Sequence, residues 1–267
     1  MSDRFSGPGD MTSGHPTTRN LAAAPPPAPA AATQPISATY PSDARQPSDT
    51  IAYGPDIPTE AQFRLLGNLD GKRVLQLGCG SGAEAIAMAR QGARVITVDT
   101  SLRRIEAARA NADRAEVKVE LHQADLAELP FLRADSLDLA VSVYALANVD
   151  DLDRVFRQVH RVLHTECHLV FSMPHPAYAM FDVDSGDPPT VNRSYFSRVA
   201  RPWSTDADTG TDRPRTVGEL FTSLARTNFR VDTILEPEPS GKRSAFWRDA
   251  MSWAPATLIL RARKEGN

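Results

Sequence analysis

Cysteine is scarce in this chain of 267 residues: there are two, Cys79 and Cys167, far apart in sequence. That excludes a disulfide framework and fits a thiol-reducing cytoplasm. Long apolar runs are missing as well. None approaches the roughly 18 residues that a bilayer span needs. The apolar-looking stretch from Leu21 to Ala32 carries four prolines, so it does not read as the core of a signal peptide. Charge of one sign is also lacking. Thirty Lys and Arg stand against 33 Asp and Glu, for a net charge of -3, which asks for neither nucleic acid nor an anionic membrane as partner. No Cys/His cluster has metal-ligand spacing, and there is no internal repeat.

The first 50 residues are short of aromatics, with only Phe5 and Tyr40, but hold 9 of the 21 prolines and 9 alanines. Such a segment buries too little apolar surface to offset its ordering entropy. Residues 1–50 therefore read as a disordered Pro/Ala-rich tail, and 51–267 as one domain.

Past the tail, strand and helix signals alternate. Pro58 to Leu69 reads as a helix with Phe63, Leu65 and Leu66 on its apolar face. The first strand is Arg73–Leu77, followed by a helix from Ala83 to Arg90 and a second strand from Ala93 to Val98. Ser101 caps the next helix, and Val117 to Leu121 alternates as a third strand. A fourth strand, Leu137–Val143, precedes the clearest amphipathic helix, with Leu152, Val155, Phe156, Val159, Val162 and Leu163 at helical spacing. Cys167 to Ser172 is a fifth strand. After a long irregular stretch, Thr216 and Glu219 form a capping box, and Phe229–Leu235 and Ala256–Ala262 are the last two strands. The alternation predicts an α/β three-layer fold with a largely parallel sheet. In such sheets ligands bind outside the carboxyl ends of the strands, at the switch in strand order.

Those strand ends carry chemistry. The first runs into Gly78-Cys79-Gly80-Ser81-Gly82, a glycine-rich turn before a helix N-terminus. The second ends in Asp99 and Thr100, with Asp99 placed to accept from both ribose hydroxyls of a nucleoside, or else to cap the helix near Ser101. The third leads to Asp125 and Leu126, an acid for an adenine amino group and a side chain to pack on the ring. A nicotinamide dinucleotide asks for G-x-G-x-x-G/A, which Gly78, Gly80 and Ala83 formally satisfy, but that leaves Gly82 and Asp125 without a role. S-adenosylmethionine has no pyrophosphate and suits all three strand ends.

The segments Val74–Gly82 (VLQLGCGSG), Val95–Asp99 (VITVD), Gln123–Leu126 (QADL) and Leu137–Tyr144 (LDLAVSVY) resemble, in order, the motifs of the class I S-adenosylmethionine-dependent methyltransferases, most of all the type 11 small-molecule group. The resemblance covers about Tyr53 to Lys264. It implies a Rossmann-like seven-stranded sheet in the order 3-2-1-4-5-7-6 with strand 7 antiparallel. It further implies that Asp99 holds ribose, that Asp125 and Leu126 meet adenine, that Gly78, Cys79, Gly80 and Gly82 border the aminoacyl chain, and that Tyr144 and Ala145 border the methionine side.

The acceptor belongs under the irregular stretch, about 174–215. A loop of that length in a compact domain is usually functional. It reads as a lid carrying Tyr178, Tyr195, Phe196 and Trp203 for a small-molecule acceptor, with His175, between two prolines just past the fifth strand, as the best-placed base. The Asn/Asp-Pro-Pro-aromatic turn of the amino-directed nucleic-acid methyltransferases is absent, since Ser142-Val143-Tyr144-Ala145-Leu146 stands in its place. The expectation is a cytoplasmic methyltransferase that moves a methyl group to an O, N or C nucleophile, without metal, nucleic acid or membrane. The alternatives are a non-catalytic S-adenosylmethionine-binding protein and an NAD(P)-dependent oxidoreductase.

Overall fold

Continuous apolar runs suit strands that are covered on both faces. In the computed structural model β1 (Arg73–Leu77), β2 (Arg94–Asp99) and β4 (Leu137–Val143) are buried along nearly their whole length, whereas β3 (Val119–Gln123) lies at a sheet edge and is half-exposed. The remaining sheet strands are β5 (Leu163–Pro174), β6 (Phe229–Leu235) and β7 (Thr257–Lys264). The order is β3-β2-β1-β4-β5-β7-β6. β1 to β5 run parallel, while β7 is antiparallel to both β5 and β6. Val74 pairs with Val95 on one side and Leu139 on the other, so the direction of winding reverses between β1 and β4. The described residues are 35–40, 45, 49–205, 209–241 and 243–266.

Four helices flank the sheet: α1 (Ala83–Arg90), α2 (Leu102–Arg114), α3 (Leu152–Val162) and α4 (Val217–Arg226). Their starts follow from side-chain caps. Ser101 accepts from the Arg104 N–H and Asp151 from the Arg154 N–H, and Thr216 and Glu219 form a reciprocal capping box. The apolar stripe of α3 lies wholly in the core, where Phe156 meets Phe171 of β5 at 5.7 Å between ring centroids. Burying a side chain of this size contributes about 1.5–3 kcal/mol.

The helix expected over Pro58–Leu69 is a single turn, Glu60–Phe63. The Glu60 carboxylate accepts from the Leu65 and Leu66 N–H groups and from the Tyr53 hydroxyl, and Arg64 takes a left-handed conformation, so the chain is turned away before a second turn forms. β3 starts two residues later than its alternation suggested, and β5 is extended at both ends. The irregular stretch holds two small hairpins, Phe181–Asp182 with Thr190–Val191, and Arg201–Ser204 with Thr209–Asp212.

The tail boundary needs correcting. Residues 1–34 lie outside the described residues. Ile36–Thr39 forms a helical turn, however, and Ile36, Ser37, Tyr40 and Arg45 are buried. Arg45 forms an ion pair with Glu84 at 2.6 Å, and its carbonyl accepts from the Ser81 hydroxyl. Tyr40 sits edge-on to Tyr144 and Phe246. One ion pair and one aromatic cluster are enough to tie down a segment whose average composition is poor in apolar surface.

Candidate functional site

The glycine turn, the ends of β2, β3 and β4, and the buried N-terminal segment meet on one side of the sheet. Gly78, Gly80 and Gly82 all have positive φ, at 83°, 51° and 87°, a region that L side chains rarely enter. Gly78 is constrained by packing as well. A Cβ there would lie 2.1 Å from the Cβ of Ala145, so the carboxyl ends of β1 and β4 touch only because a side chain is missing.

Asp99 is buried at the end of β2. Its Oδ2 accepts from the Cys79 N–H at 3.0 Å, and its Oδ1 accepts from the Ser101 N–H at 2.9 Å and from Arg104 Nη1 at 3.4 Å. Asp99 thus braces the start of α2 beside the Ser101 cap and also lines the cleft. A carboxylate has about four lone-pair sites, so these three contacts leave capacity for a ligand hydroxyl. At the next strand end Asp125 is exposed, with Oδ1 accepting from the Ala127 N–H at 2.8 Å, and Leu126 is buried beside it. Gly78, Asp99, Thr100, Asp125, Leu126 and Ala145 line one open cleft of about 900 Å³.

A narrower chamber continues from it. It shares Gly78, Asp99, Arg104 and Ala145, and adds Gly80, Tyr144, Ser37, Tyr40, Arg45 and Trp203. The Tyr144 hydroxyl is hydrogen-bonded to Thr257 Oγ1 at 2.7 Å, and burial pushes its phenol far up, so it stays protonated. Burial likewise pushes the Cys79 thiol up, with the Asp99 charge adding to the effect. The Cys79 side chain packs against Ile105 and Ala108, and its backbone N–H donates to Asp99. A Cβ on Gly82 would press on the α2 backbone at Ala108.

A third, small cavity is lined by Ile36, Met173, His175, Tyr178, Arg201 and Asp212, among others. Tyr178, from the stretch expected to form a lid, is thus part of a cavity wall. Trp203 lines the donor-side chamber instead, and its indole N–H donates to Asp212 Oδ1 at 3.2 Å. Tyr195 and Phe196 line neither space. The Tyr195 hydroxyl accepts from the Val217 N–H at the start of α4, and Phe196 is 75% exposed. His175 reaches the cavity, but its ring is committed. Nδ1 accepts from the Ala177 N–H at 3.0 Å, which leaves the proton on Nε2 to donate to Glu236 Oε1 at 2.8 Å. Burial also pushes its pKa down. With both nitrogens engaged, His175 is a brace of the cavity wall rather than a base.

Sequence reasoning missed Ser37, Tyr40, Arg45, Arg104 and Asp212. The first three stand in a stretch whose composition argued against order, and Asp212 is one acid among six between residues 174 and 215. Among the described residues no helix is long and apolar enough to cross a membrane, and no group of three or more His, Cys, Asp or Glu could hold a metal ion.

The cleft fits S-adenosylmethionine on its own chemistry. It offers a buried carboxylate with spare acceptor capacity, an exposed carboxyl above an apolar floor, and a turn stripped of side chains where β1 meets β4. Comparison with known proteins agrees. Residues 75–171 match the type 11 family described as a methyltransferase domain. A ubiquinone biosynthesis O-methyltransferase of Alkalilimnicola ehrlichii is 34% identical over 107 residues, 40% of this chain and 43% of that protein. The chain thus spans less than half the length of this curated relative. Among solved structures, an S-adenosylmethionine-dependent methyltransferase of Mesorhizobium loti is 29% identical, with a TM-score of 0.62 over 76% of this chain and 96% of that one. A structure from Listeria monocytogenes at 22% identity shares the fold, with a TM-score of 0.63 over 76% of this chain and 95% of that one. Residues 75–171, from β1 into β5, are similar to the methyltransferase domain family, and the chain has the fold of the class I S-adenosylmethionine-dependent methyltransferases.

Proposed function

We propose that this protein transfers a methyl group from S-adenosylmethionine to a small-molecule acceptor in the cytoplasm. The observation that carries the reading is a carboxylate-bearing cleft at the sheet's switch point, continued by a chamber whose Trp203 hydrogen-bonds to Asp212 in the wall of a separate, mostly apolar cavity. When bound, S-adenosylmethionine supplies a methyl group already activated by the positive sulfur next to it.

The chain's residues then divide the work of holding. Asp99 accepts from ribose hydroxyls and Thr100 flanks it. Asp125 accepts from the adenine amino group while Leu126 packs under the ring. Gly78 and Gly80 give the aminoacyl part room to lie against the backbone, and Tyr144 and Ala145 wall the methionine side. The acceptor cavity orients a nucleophile toward the methyl group, and orientation of this kind supplies up to about 7–11 kcal/mol. The relative from Alkalilimnicola ehrlichii is named an O-methyltransferase, which supports oxygen over nitrogen or carbon as the atom methylated.

Calorimetric titration tests the reading. S-adenosylhomocysteine should bind the purified protein and NADH should not. The reverse result would replace a methyltransferase by a dehydrogenase. Donor binding with no transfer to any metabolite in a mixed pool, followed with methyl-labelled donor, would leave a binding protein without turnover.

A further inference from the structure

Asp212 occupies the wall between the acceptor cavity and the donor-side chamber. It ends the hairpin strand Thr209–Asp212, and this strand docks on the turn after β4, where Asn148 Oδ1 accepts from the Thr211 N–H at 2.8 Å and the Ala147 carbonyl accepts from the Arg213 N–H at 2.9 Å. The side chain is 4% exposed. A buried acid is costly, and its presence asks for a reason. On one side it faces the acceptor cavity with Tyr178, Arg201 and His175. On the other it accepts from Trp203, which lines the donor-side chamber. Ser37, which also lines that chamber, is buried beside Asp212 and favours its ionised form. A carboxylate has about four lone-pair sites, so Asp212 can still accept from a ligand hydroxyl.

We infer, resting on the methyl-transfer reading, that Asp212 is the catalytic proton acceptor, and that the acceptor is a neutral compound that presents a hydroxyl group to it. The hydroxyl oxygen uses a lone pair to form the O–C bond to the methyl carbon. The S–C bond breaks and its electron pair stays on sulfur. The hydroxyl proton passes to the Asp212 carboxylate and leaves to solvent when the product departs. The other described titratable groups at the wall do not serve. Both His175 nitrogens are engaged, and burial keeps the Tyr40, Tyr144 and Tyr178 phenols protonated. Burial pushes the Asp212 carboxyl up to about 6, while Ser37, Arg201 and Trp203 hold it from rising further. It is therefore ionised at neutral pH, and basic enough to take a proton there. The charged and titratable groups that face it are Arg201 on the paired strand, Tyr144 at the end of β4, and Tyr178 and His175 across the cavity.

The test uses catechol, a hydroxyl compound that stays neutral over the pH range read, with methyl-labelled donor and the full chain. S-adenosylhomocysteine binding is measured first, for wild type and Asp212→Asn alike, and should be equal. With catechol as acceptor, the wild-type rate should rise with pH through a midpoint near 6. Asp212→Asn should lower the rate about 10²–10⁴-fold and abolish that midpoint. Trp203→Phe removes a hydrogen bond that favours the ionised carboxylate, so the midpoint should move to higher pH, and this carries the test if Asp212→Asn fails to fold. A rate within about threefold of wild type in Asp212→Asn with an unchanged pH profile would overturn the proposal. So would a wild type that binds S-adenosylhomocysteine but does not methylate catechol, because the hydroxyl class would then be wrong while the donor reading stood. Absence of S-adenosylhomocysteine binding by wild type would remove the methyl-transfer reading, and this proposal with it.

Discussion

At the scale of single residues, Asp99 and Asp212 show how differently two buried acids are kept. Asp99 is surrounded by donors: two backbone amides and the Arg104 guanidinium. Replacing it with alanine should therefore do two things at once. It leaves the Cys79 and Ser101 N–H groups unpaired, at about 1–3 kcal/mol for each buried donor. It should also weaken S-adenosylhomocysteine binding by at least about 1.5 kcal/mol, as loss of a hydrogen bond to a charged group does. Calorimetry and a thermal melt on the same sample separate the two effects, and unchanged affinity in a folded variant would remove the ribose role. Asp212 has fewer donors and carries a stability cost. Its carboxyl titrates near 6 when folded, against an ordinary value of 3.8. Below both values a proton is bound in either state and nothing is lost. As pH rises between them the unfolded chain ionises first, so the folded state loses ground, levelling above 6 at a cost on the order of 2–3 kcal/mol. Asp212→Asn should therefore melt above wild type at pH 7.5, and that advantage should vanish by about pH 4. A variant that melts lower at both pH values would mean that the carboxylate is needed for packing.

At the scale of elements, the contact between the glycine turn and the turn after β4 decides the site's geometry. Gly78→Ala combines a positive φ with a 2.1 Å clash against Ala145. It should destabilise by about 1–3 kcal/mol. Adding Ala145→Gly should recover the steric part and leave the backbone part, so a double-mutant cycle of melting curves should give a coupling of about 0.5–3 kcal/mol. Additivity would mean that the two turns do not press on each other. Both glycine and strand end were legible from sequence, because a glycine-rich turn after an apolar run has few other uses. The strands and the capped helices were legible for the same kind of reason: apolar alternation and Thr216-x-x-Glu219 are local signals with local causes. The hairpins between 181 and 212 were not, since short polar strands such as Thr209–Asp212 leave no periodicity to read. The turn at Glu60 was also hidden. Its side chain competes for backbone amides five and six positions away, a contact that an apolar pattern does not encode.

For the whole molecule, the question is where the folded unit begins. A deletion of residues 1–34 can be compared with a deletion of residues 1–47. The longer one removes Arg45, leaving Glu84 as a buried charge without its ion-pair partner, and also removes Tyr40 from the chamber wall and Ile36 from the cavity wall. Removing one member of a buried pair costs about 3–5 kcal/mol. The longer deletion should thus melt well below the shorter one and bind S-adenosylhomocysteine more weakly. Equal melting curves would show that residues 35–47 contribute nothing to the fold. Composition misplaced this boundary because it averages over a window, whereas four anchoring side chains act one at a time.

The Cys79 thiol offers a view of that unit in motion. It lies wholly inside, directly behind the turn that the donor would rest on, and stays un-ionised there, while Cys167 is only half-buried. A thiolate, not a thiol, reacts with an alkylating reagent. Burial pushes both thiols up, but Cys167 is half-exposed, so native protein should take up label sooner at Cys167, and at Cys79 only when the glycine turn opens. Because a ligand bound to the closed form alone suppresses opening by mass action, the slow labelling phase is a built-in clock for occupancy of the cleft, readable without any acceptor or product.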